Sequence, residues 1–296
     1  MVALVTNAAA TPQGRADVLG LVEAATTAAG RRPLSDEHWL ALVSGPAAGV
    51  TSIGARDGDA LVAVAQVVRG NDAHSVEVVV APDATDDPRP ALLAAALEAV
   101  RADGGGPVHY WLSAPSAADG EAALAAGFQP TRRLLQLRRP LPTGLPVEET
   151  TRAFRPGVDE AAWLAVNNRA FASHPEQGAW TRETLARRQA EPWFDPDGFR
   201  LHERDGRLAA FCWTKLHPAA GGDPAMGEIY VIGVDPDFQG LGLGRQLTLA
   251  GLDAIAERGL DLGMLYVDES NTGALALYGA LGFEVHHTDV AYTTVA

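Results

Sequence analysis

The side chains and backbone best placed to do chemistry lie in the second half of the chain. Gln239-Gly240-Leu241-Gly242-Leu243-Gly244-Arg245 joins an apolar run to an amphipathic one. Glycines let the backbone turn tightly and aim several N–H groups at one point, where the positive end of a helix dipole adds its field, so the stretch predicts a pyrophosphate cradle. It is not the dinucleotide fingerprint G-x-G-x-x-G, because the strand before it pairs in a hairpin and the spacing is Gln-x-x-Gly-x-Gly. No Lys follows the last glycine, which excludes a P-loop. Glu228 lies on the strand before the cradle, two residues ahead of Tyr230. Strand alternation puts these two on one face and Ile229 and Val231 on the other. Tyr278 follows Asn271 by seven residues, two helical turns, and offers a hydroxyl that can donate a proton unless it only fills a core. Lys215 is the single lysine among twenty-three Lys and Arg, either a chance survivor or a residue whose three rotatable donors are needed. His174 and His217 each adjoin a proline in an expected loop and rank below Glu228 as bases, and Cys212 reads as a buried small hydrophobe in mid-strand.

The elements that position these groups follow from periodicity and punctuation. Val158 to Phe171 and Thr181 to Ala190 predict helices. Leu208 to Lys215 and Gly227 to Val234 predict an antiparallel pair joined by the Gly/Pro-rich segment Leu216 to Ala225. Leu243, Leu247, Ala250 and Ala254 put one apolar face on a helix from about Leu241 to Arg258, ended near Gly259. A strand over Leu262 to Val267 comes next, then a short helix capped by Ser270 or Asn271 and running to Ala280, then a last strand from Phe283 to Val295.

A repeat underlies this order. Val76-Glu77-Val78-Val79-Val80-Ala81-Pro82 parallels Ile229 to Pro236, and Ala125-Ala126-Gly127-Phe128 parallels Ala280-Leu281-Gly282-Phe283, at offsets of 154 (236 − 82) and 155 (283 − 128). The three prolines in Arg139 to Pro146 suit a linker, so the expected domains are 1–140 and 147–296. At the place of the cradle the first half reads Asp83-Ala84-Thr85-Asp86-Asp87-Pro88-Arg89-Pro90, without glycine and with three acids that repel phosphate. The first half is therefore expected to be a scaffold and one wall of a pocket, with its cofactor loop degenerate.

The 296 residues suit two cores, and 47% hydrophobic with 20% charged residues is a globular composition without a membrane-spanning run or a signal peptide. A net charge of −14 argues against nucleic-acid and anionic-membrane partners, and one cysteine excludes disulfide frameworks and cysteine zinc sites; no metal is expected, and the location expected is cytoplasmic.

Val234-Asp235-Pro236-Asp237-Phe238-Gln239-Gly240-Leu241-Gly242-Leu243-Gly244 resembles the acetyl-CoA motif of the GCN5-related N-acetyltransferases (GNAT), and Asn271…Ala274…Tyr278…Gly282-Phe283 resembles that family's following motif. The tandem arrangement, with Asn167-Asn168-Arg169, His174-Pro175-Glu176-Gln177-Gly178, Trp213-Thr214-Lys215 and Gly227-Glu228-Ile229-Tyr230, resembles the mycothiol synthase branch over nearly all of the second half and more weakly over the first. The resemblance implies an α/β fold of two tandem GNAT domains, each a mixed, mostly antiparallel sheet flanked by helices. It implies acetyl transfer from acetyl-CoA to the cysteinyl amine of cysteinyl-glucosaminyl-inositol, a small thiol pseudo-disaccharide on the way to the low-molecular-weight thiol of actinobacteria. By the same resemblance pantetheine pairs with Ile232, Gly233 and Val234, pyrophosphate with Gln239, Gly240, Leu241, Gly242, Leu243, Gly244 and Arg245, and Asn271, Thr272, Gly273, Ala274, Leu275 and Ala276 border the pantetheine arm. Glu228 is then the general base and Tyr278 the acid, and Asp36, Glu176, Lys215, Glu228 and Tyr266 line the acceptor pocket. Other amines, such as an aminoglycoside or a peptide N-terminus, and a non-catalytic CoA sensor remain alternatives. Two fused copies suit a monomer.

Overall fold

The helix behind the glycine-rich loop forms where its apolar period places it. In a computed structural model it runs Leu243–Ala256, with Leu243, Leu247 and Ile255 buried and Gly259 in the left-handed region beyond its end. The structure describes residues 2–30, 32–45, 48–70, 72–172, 177–220 and 223–296. In the first half the elements are β1 (Ala3–Thr6), α1 (Pro12–Ala29), α2 (Asp36–Val43), β2 (Val50–Asp57), β3 (Ala60–Arg69), β4 (His74–Val80), α3 (Arg89–Ala102), β5 (Pro107–Ser113), α4 (Ala117–Ala125) and β6 (Gln129–Pro140). The second half has β7 (Arg152–Ala153), α5 (Glu160–Ala170), α6 (Arg182–Gln189), β8 (Phe199–Arg204), β9 (Arg207–His217), β10 (Met226–Val234), α7 (Leu243–Ala256), β11 (Leu262–Asp268), α8 (Thr272–Ala280) and β12 (Glu284–Val295).

Among the described residues the strands form one twelve-stranded sheet in the order β1-β2-β3-β4-β5-β12-β6-β11-β10-β9-β8-β7. The order reads alike from either end, with β1 to β5 answering β7 to β11. The helices repeat with it: α3 and α7 begin 154 residues apart (243 − 89), α4 and α8 155 apart (272 − 117). The last strands of the two halves are exchanged. β12 lies against β5, and β6 lies against β11, so each half's sheet is completed by the other's strand.

Helices cover both faces. On the second half, α7 and α8 close a core around Leu247, Leu249, Leu252 and Ile255, while α5 and α6 close an aromatic one around Trp163, Phe199, Phe211 and Trp213. Trp213 stacks on Phe199 with centroids 4.5 Å apart. Burial of such side chains contributes about 1.5–3 kcal/mol each, enough to fix where α5 sits.

Several sequence expectations need correction. β9 continues through Leu216 and His217, which the expected connection had included, and β8 was not foreseen. The glycine loop extends to Gly242, so α7 starts at Leu243 rather than Leu241. Ile229 and Val231 do not share a face. A bulge in β10 between Ile229 and Val231 makes Ile229 pack under α7 and Val231 join the aromatic core, with Tyr230 beside it.

Candidate active site

β10 and β11 are parallel neighbours only over Gly227–Ile229 and Gly263–Leu265. Past Ile229 they part, and the bulge bends β10 away at that point. Among the described residues the edge of β10 from Tyr230 to Val234 has no partner strand on the β11 side, so its backbone groups can pair with an extended ligand. A cleft of about 1240 Å³ opens there, walled by Ile229, Tyr230, Val231 and Ile232 on one side and Tyr266, Val267, Asn271, Ala274 and Tyr278 on the other.

The glycine loop stands at the end of β10. The Asp235 side chain accepts from the Asp237 N–H at 2.9 Å and closes a 3-10 turn over Pro236–Phe238. Gly240 and Gly242 both take left-handed φ, at 79° and 77°, which a side chain would strain. Gly242 is the N-cap of α7 and supplies no capping side chain, so the first-turn N–H groups face outward uncapped. A pocket of about 250 Å³ lies over them, lined by Val234, Phe238, Gln239, Gly240, Gly242, Leu243, Gly244, Arg245 and Leu277. The equivalent helix start in the first half differs. The Asp87 carboxylate accepts from the Arg89 N–H at 3.1 Å and from its guanidinium at 3.0 Å, occupying the position an anion would take.

Gly233 has a packing reason apart from ligand approach: a Cβ there would meet the Phe211 ring at 2.7 Å. Asn271 caps α8 through Oδ1, which accepts from Ala274 N–H at 3.1 Å, and that turn sets Asn271, Ala274 and Tyr278 along the cleft. Thr272, Gly273 and Ala276 point away, exposed, and Leu275 packs on the core. Burial pushes the Tyr278 phenol up to about 12, so it stays protonated as a donor at neutral pH. Cys212 is fully buried and its thiol pushed up by burial, which keeps it inert.

Glu228, 8% exposed, lies one residue before the point where the strands part. Lys215 on β9 is its cross-strand neighbour, but the ammonium sits over the Trp193 ring at 4.9 Å and the Tyr230 ring at 5.7 Å. The Glu228 carboxylate bonds His217 instead, Oε2 to Nε2 at 2.7 Å. Neither Glu228 nor Lys215 is among the residues that line the cleft; Glu228 precedes the wall residue Ile229 on β10, and the Lys215 ammonium lies against the wall residue Tyr230. Tyr266 is on the wall, and its hydroxyl accepts from Gln136 Nε2 at 2.7 Å; Gln136 in turn accepts from Arg138, which grips Asp223 through two bonds of 2.7 and 2.8 Å. Asp36 opens α2, and its neighbours Ser35 and Glu37 border the same cleft. Glu176 and His174 lie outside the described residues.

The cleft continues into the first half, where sequence reasoning named no residue beyond Asp36. His38, Ser75 and Glu77 line it. Glu77 Oε2 accepts from the Ser35 N–H at 2.9 Å, and His38 lies between Gln66 (3.2 Å) and Ser75 (2.8 Å). Burial raises the Glu77 carboxyl to about 7, with the Ser35 bonds opposing, and burial lowers His38 to about 4. The signal was present in the sequence as an acid inside the apolar run Val76-Glu77-Val78. Because the folded protein keeps the Glu77 proton to higher pH than the unfolded chain, its ionisation costs stability as pH rises from about 4.5 to about 7. His38 acts oppositely, costing stability as pH falls from 6.5 to about 4. Glu77→Gln should therefore gain thermal stability over the parent at pH 8 relative to pH 4.5. A melting-temperature difference that stays constant between those pH values would refute the assignment.

A parted strand pair with an uncapped glycine loop at the next helix is acetyltransferase architecture, and residues 161–283 match the family model described as Acetyltransferase (GNAT) family. The fold is shared with a GCN5-related N-acetyltransferase from Sphaerobacter thermophilus (TM-score 0.75, 22% identity, 99% of this chain and 95% of that one). It is also shared with a tandem GNAT protein from the clavulanic acid biosynthesis pathway (TM-score 0.69, 19% identity, 100% and 98% covered). In sequence the chain is 49% identical over 290 residues to the mycothiol acetyltransferase of Thermobispora bispora, covering 95% of this chain and 96% of that one. It is 48% identical over 298 residues to that of Thermomonospora curvata, with 98% and 97% covered. The chain belongs to the mycothiol acetyltransferase family.

Proposed function

We propose that the protein transfers the acetyl group of acetyl-CoA to the cysteinyl amine of cysteinyl-glucosaminyl-inositol, forming mycothiol. The observation that carries this reading is full-length similarity to mycothiol acetyltransferases in a chain that keeps both the parted strands and the uncapped cradle. In this reading the pantetheine of acetyl-CoA adds to the free edge of β10 at Ile232, Gly233 and Val234, and the pyrophosphate takes N–H bonds across Gln239 to Gly244, with Arg245 beside it. A β10 N–H polarises the thioester oxygen. Glu228 accepts one proton of the acceptor ammonium, the freed amine attacks the carbonyl carbon, the C–S bond breaks as Tyr278 protonates the departing sulfur, and the second proton shed by the nitrogen restores the Tyr278 phenol. Asp36, Glu176, Lys215 and Tyr266 hold the hydroxyl-rich acceptor, and Asn271 and Ala274 flank the pantetheine arm.

The division of labour follows the repeat: residues 147–296 carry out the chemistry, while residues 1–140, with Asp87 at the helix start, supply a wall and hold no acetyl-CoA. The enzyme works as a cytoplasmic monomer, since one chain provides both walls of the cleft; no described helix is long and apolar enough to cross a membrane. Incubation with acetyl-CoA and cysteinyl-glucosaminyl-inositol should release CoA, and titration calorimetry should give one acetyl-CoA per chain. Turnover only on another amine would displace the acceptor while leaving the acetyltransferase. Acetyl-CoA binding without turnover on any amine would indicate a sensor, and two equivalents bound would refute the closed first-half site.

A further inference from the structure

We propose that His217 is a positioning residue that fixes the Glu228 carboxylate for proton abstraction, a role resting on Glu228 as the base. His217 ends β9 and Glu228 stands on β10, so the hairpin itself brings the pair together, with Nε2 and Oε2 2.7 Å apart. The pair spans the boundary between core and solvent: the Glu228 side chain is 11% exposed and that of His217 31%. Among the described residues the second oxygen, Oε1, has no hydrogen-bond partner.

The torsion that turns a Glu carboxylate is soft, so one oxygen held by a donor is what aims the other. Lys215 is opposite in register and could have been that donor, yet its ammonium rests over Trp193 and Tyr230. His217 fills the place it leaves. Across β9 Glu228 is opposite Lys215; in the other direction the same register row carries the apolar Met264 on β11 and then Arg138 on β6, which grips Asp223.

The reaction makes the orientation matter. An ammonium acceptor loses two protons on becoming an amide: one ends on the CoA sulfur, and the other passes to Glu228 and must leave to solvent before the next turnover. The Nε2–H bond holds Oε2 in place and leaves Oε1 for the incoming amine. Only His217 among the two strands' polar residues makes this bond.

His217→Ala and His217→Gln test this in the full chain with acetyl-CoA and the cysteinyl acceptor, alongside Glu228→Gln and with acetyl-CoA affinity as the check on folding. His217→Ala should lower kcat on the order of tenfold. The acceptor KM should stay within about twofold, because the lost bond aims the carboxylate rather than binding the substrate. His217→Gln, which keeps an N–H donor, should recover most of the rate. Parental kcat in His217→Ala, or a His217→Gln variant no faster than His217→Ala, while Glu228→Gln is slow, would overturn the role of His217 alone. Parental turnover in Glu228→Gln would instead remove the base on which it rests.

Discussion

Glu228→Gln should lower kcat for acetyl transfer by about a hundred- to a thousandfold while leaving acetyl-CoA affinity within about twofold. Glutamine fills the same volume, and its carbonyl can still accept from His217 Nε2, now held at 2.7 Å from the carboxylate, so the β9–β10 hairpin has no reason to shift. What it cannot do is take a proton. An α-amino acceptor is mostly ammonium at neutral pH, since such groups titrate near roughly 7.7–8.0, and an ammonium has no lone pair with which to attack. The glycine loop proposed to bind the cofactor, Gln239 to Arg245, lies at the other end of β10 and involves no atom of Glu228, which is why affinity and rate should separate. The size of the loss should itself depend on pH. As the amine deprotonates unaided above about pH 9, the deficit of the variant should shrink. A steady-state profile of CoA release checks both points, and a variant equally fast at pH 7 would show that the proton leaves by another route.

How much of this could be read beforehand depends on whether the determinant was local. The cradle was legible because glycine spacing, an apolar strand before it and an apolar helix face after it are all within one stretch of chain, and α8 with its Asn271 cap was legible for the same reason. The repeat offsets survive as matching helix starts. The bulge at Ile229–Val231 was not legible, because nothing in Gly227-Glu228-Ile229-Tyr230-Val231 distinguishes a regular strand from one that swaps faces; only pairing with β9 and the two different cores reveals it. The His217–Glu228 contact was hidden by the same gap, since whether His217 belonged to a loop or to the last rung of β9 decided which residue it met. His38 and Gln66 belong to non-local contacts across α2, β3 and β4 and carry no motif. Lys215 was marked by composition as a residue to explain, but its place over Trp193 depends on aromatic packing that no count predicts.

The exchange of β6 and β12 leads to the prediction with the largest structural effect: residues 1–140 alone should not fold, and neither should the chain ended at Phe283. A cut at 140 follows the proline-rich segment and leaves a chain of ample length, yet β5 then loses its neighbour, because Asp289–Val295 of β12 pairs with Pro107–Ser113. Val290 and Tyr292 also leave the core they share with Val108, Tyr110 and Phe128. Each such side chain contributes about 1.5–3 kcal/mol on burial, and the unpaired strand edges add the loss of a row of backbone hydrogen bonds. Against a total stability on the order of 5–15 kcal/mol, removing the strand leaves little margin. The fragments should show no cooperative thermal transition, and a peptide of residues 284–296 should restore one to the 1–140 fragment if the strand is what it lacks. A sharp, reversible transition in 1–140 alone would refute this. The same exchange bears on the cleft, whose walls carry Ser35 and Glu77 from one half and Ile229 and Tyr266 from the other. Two crossing strands tie those walls together, which opposes a hinge motion of one half against the other in the segment after Pro140.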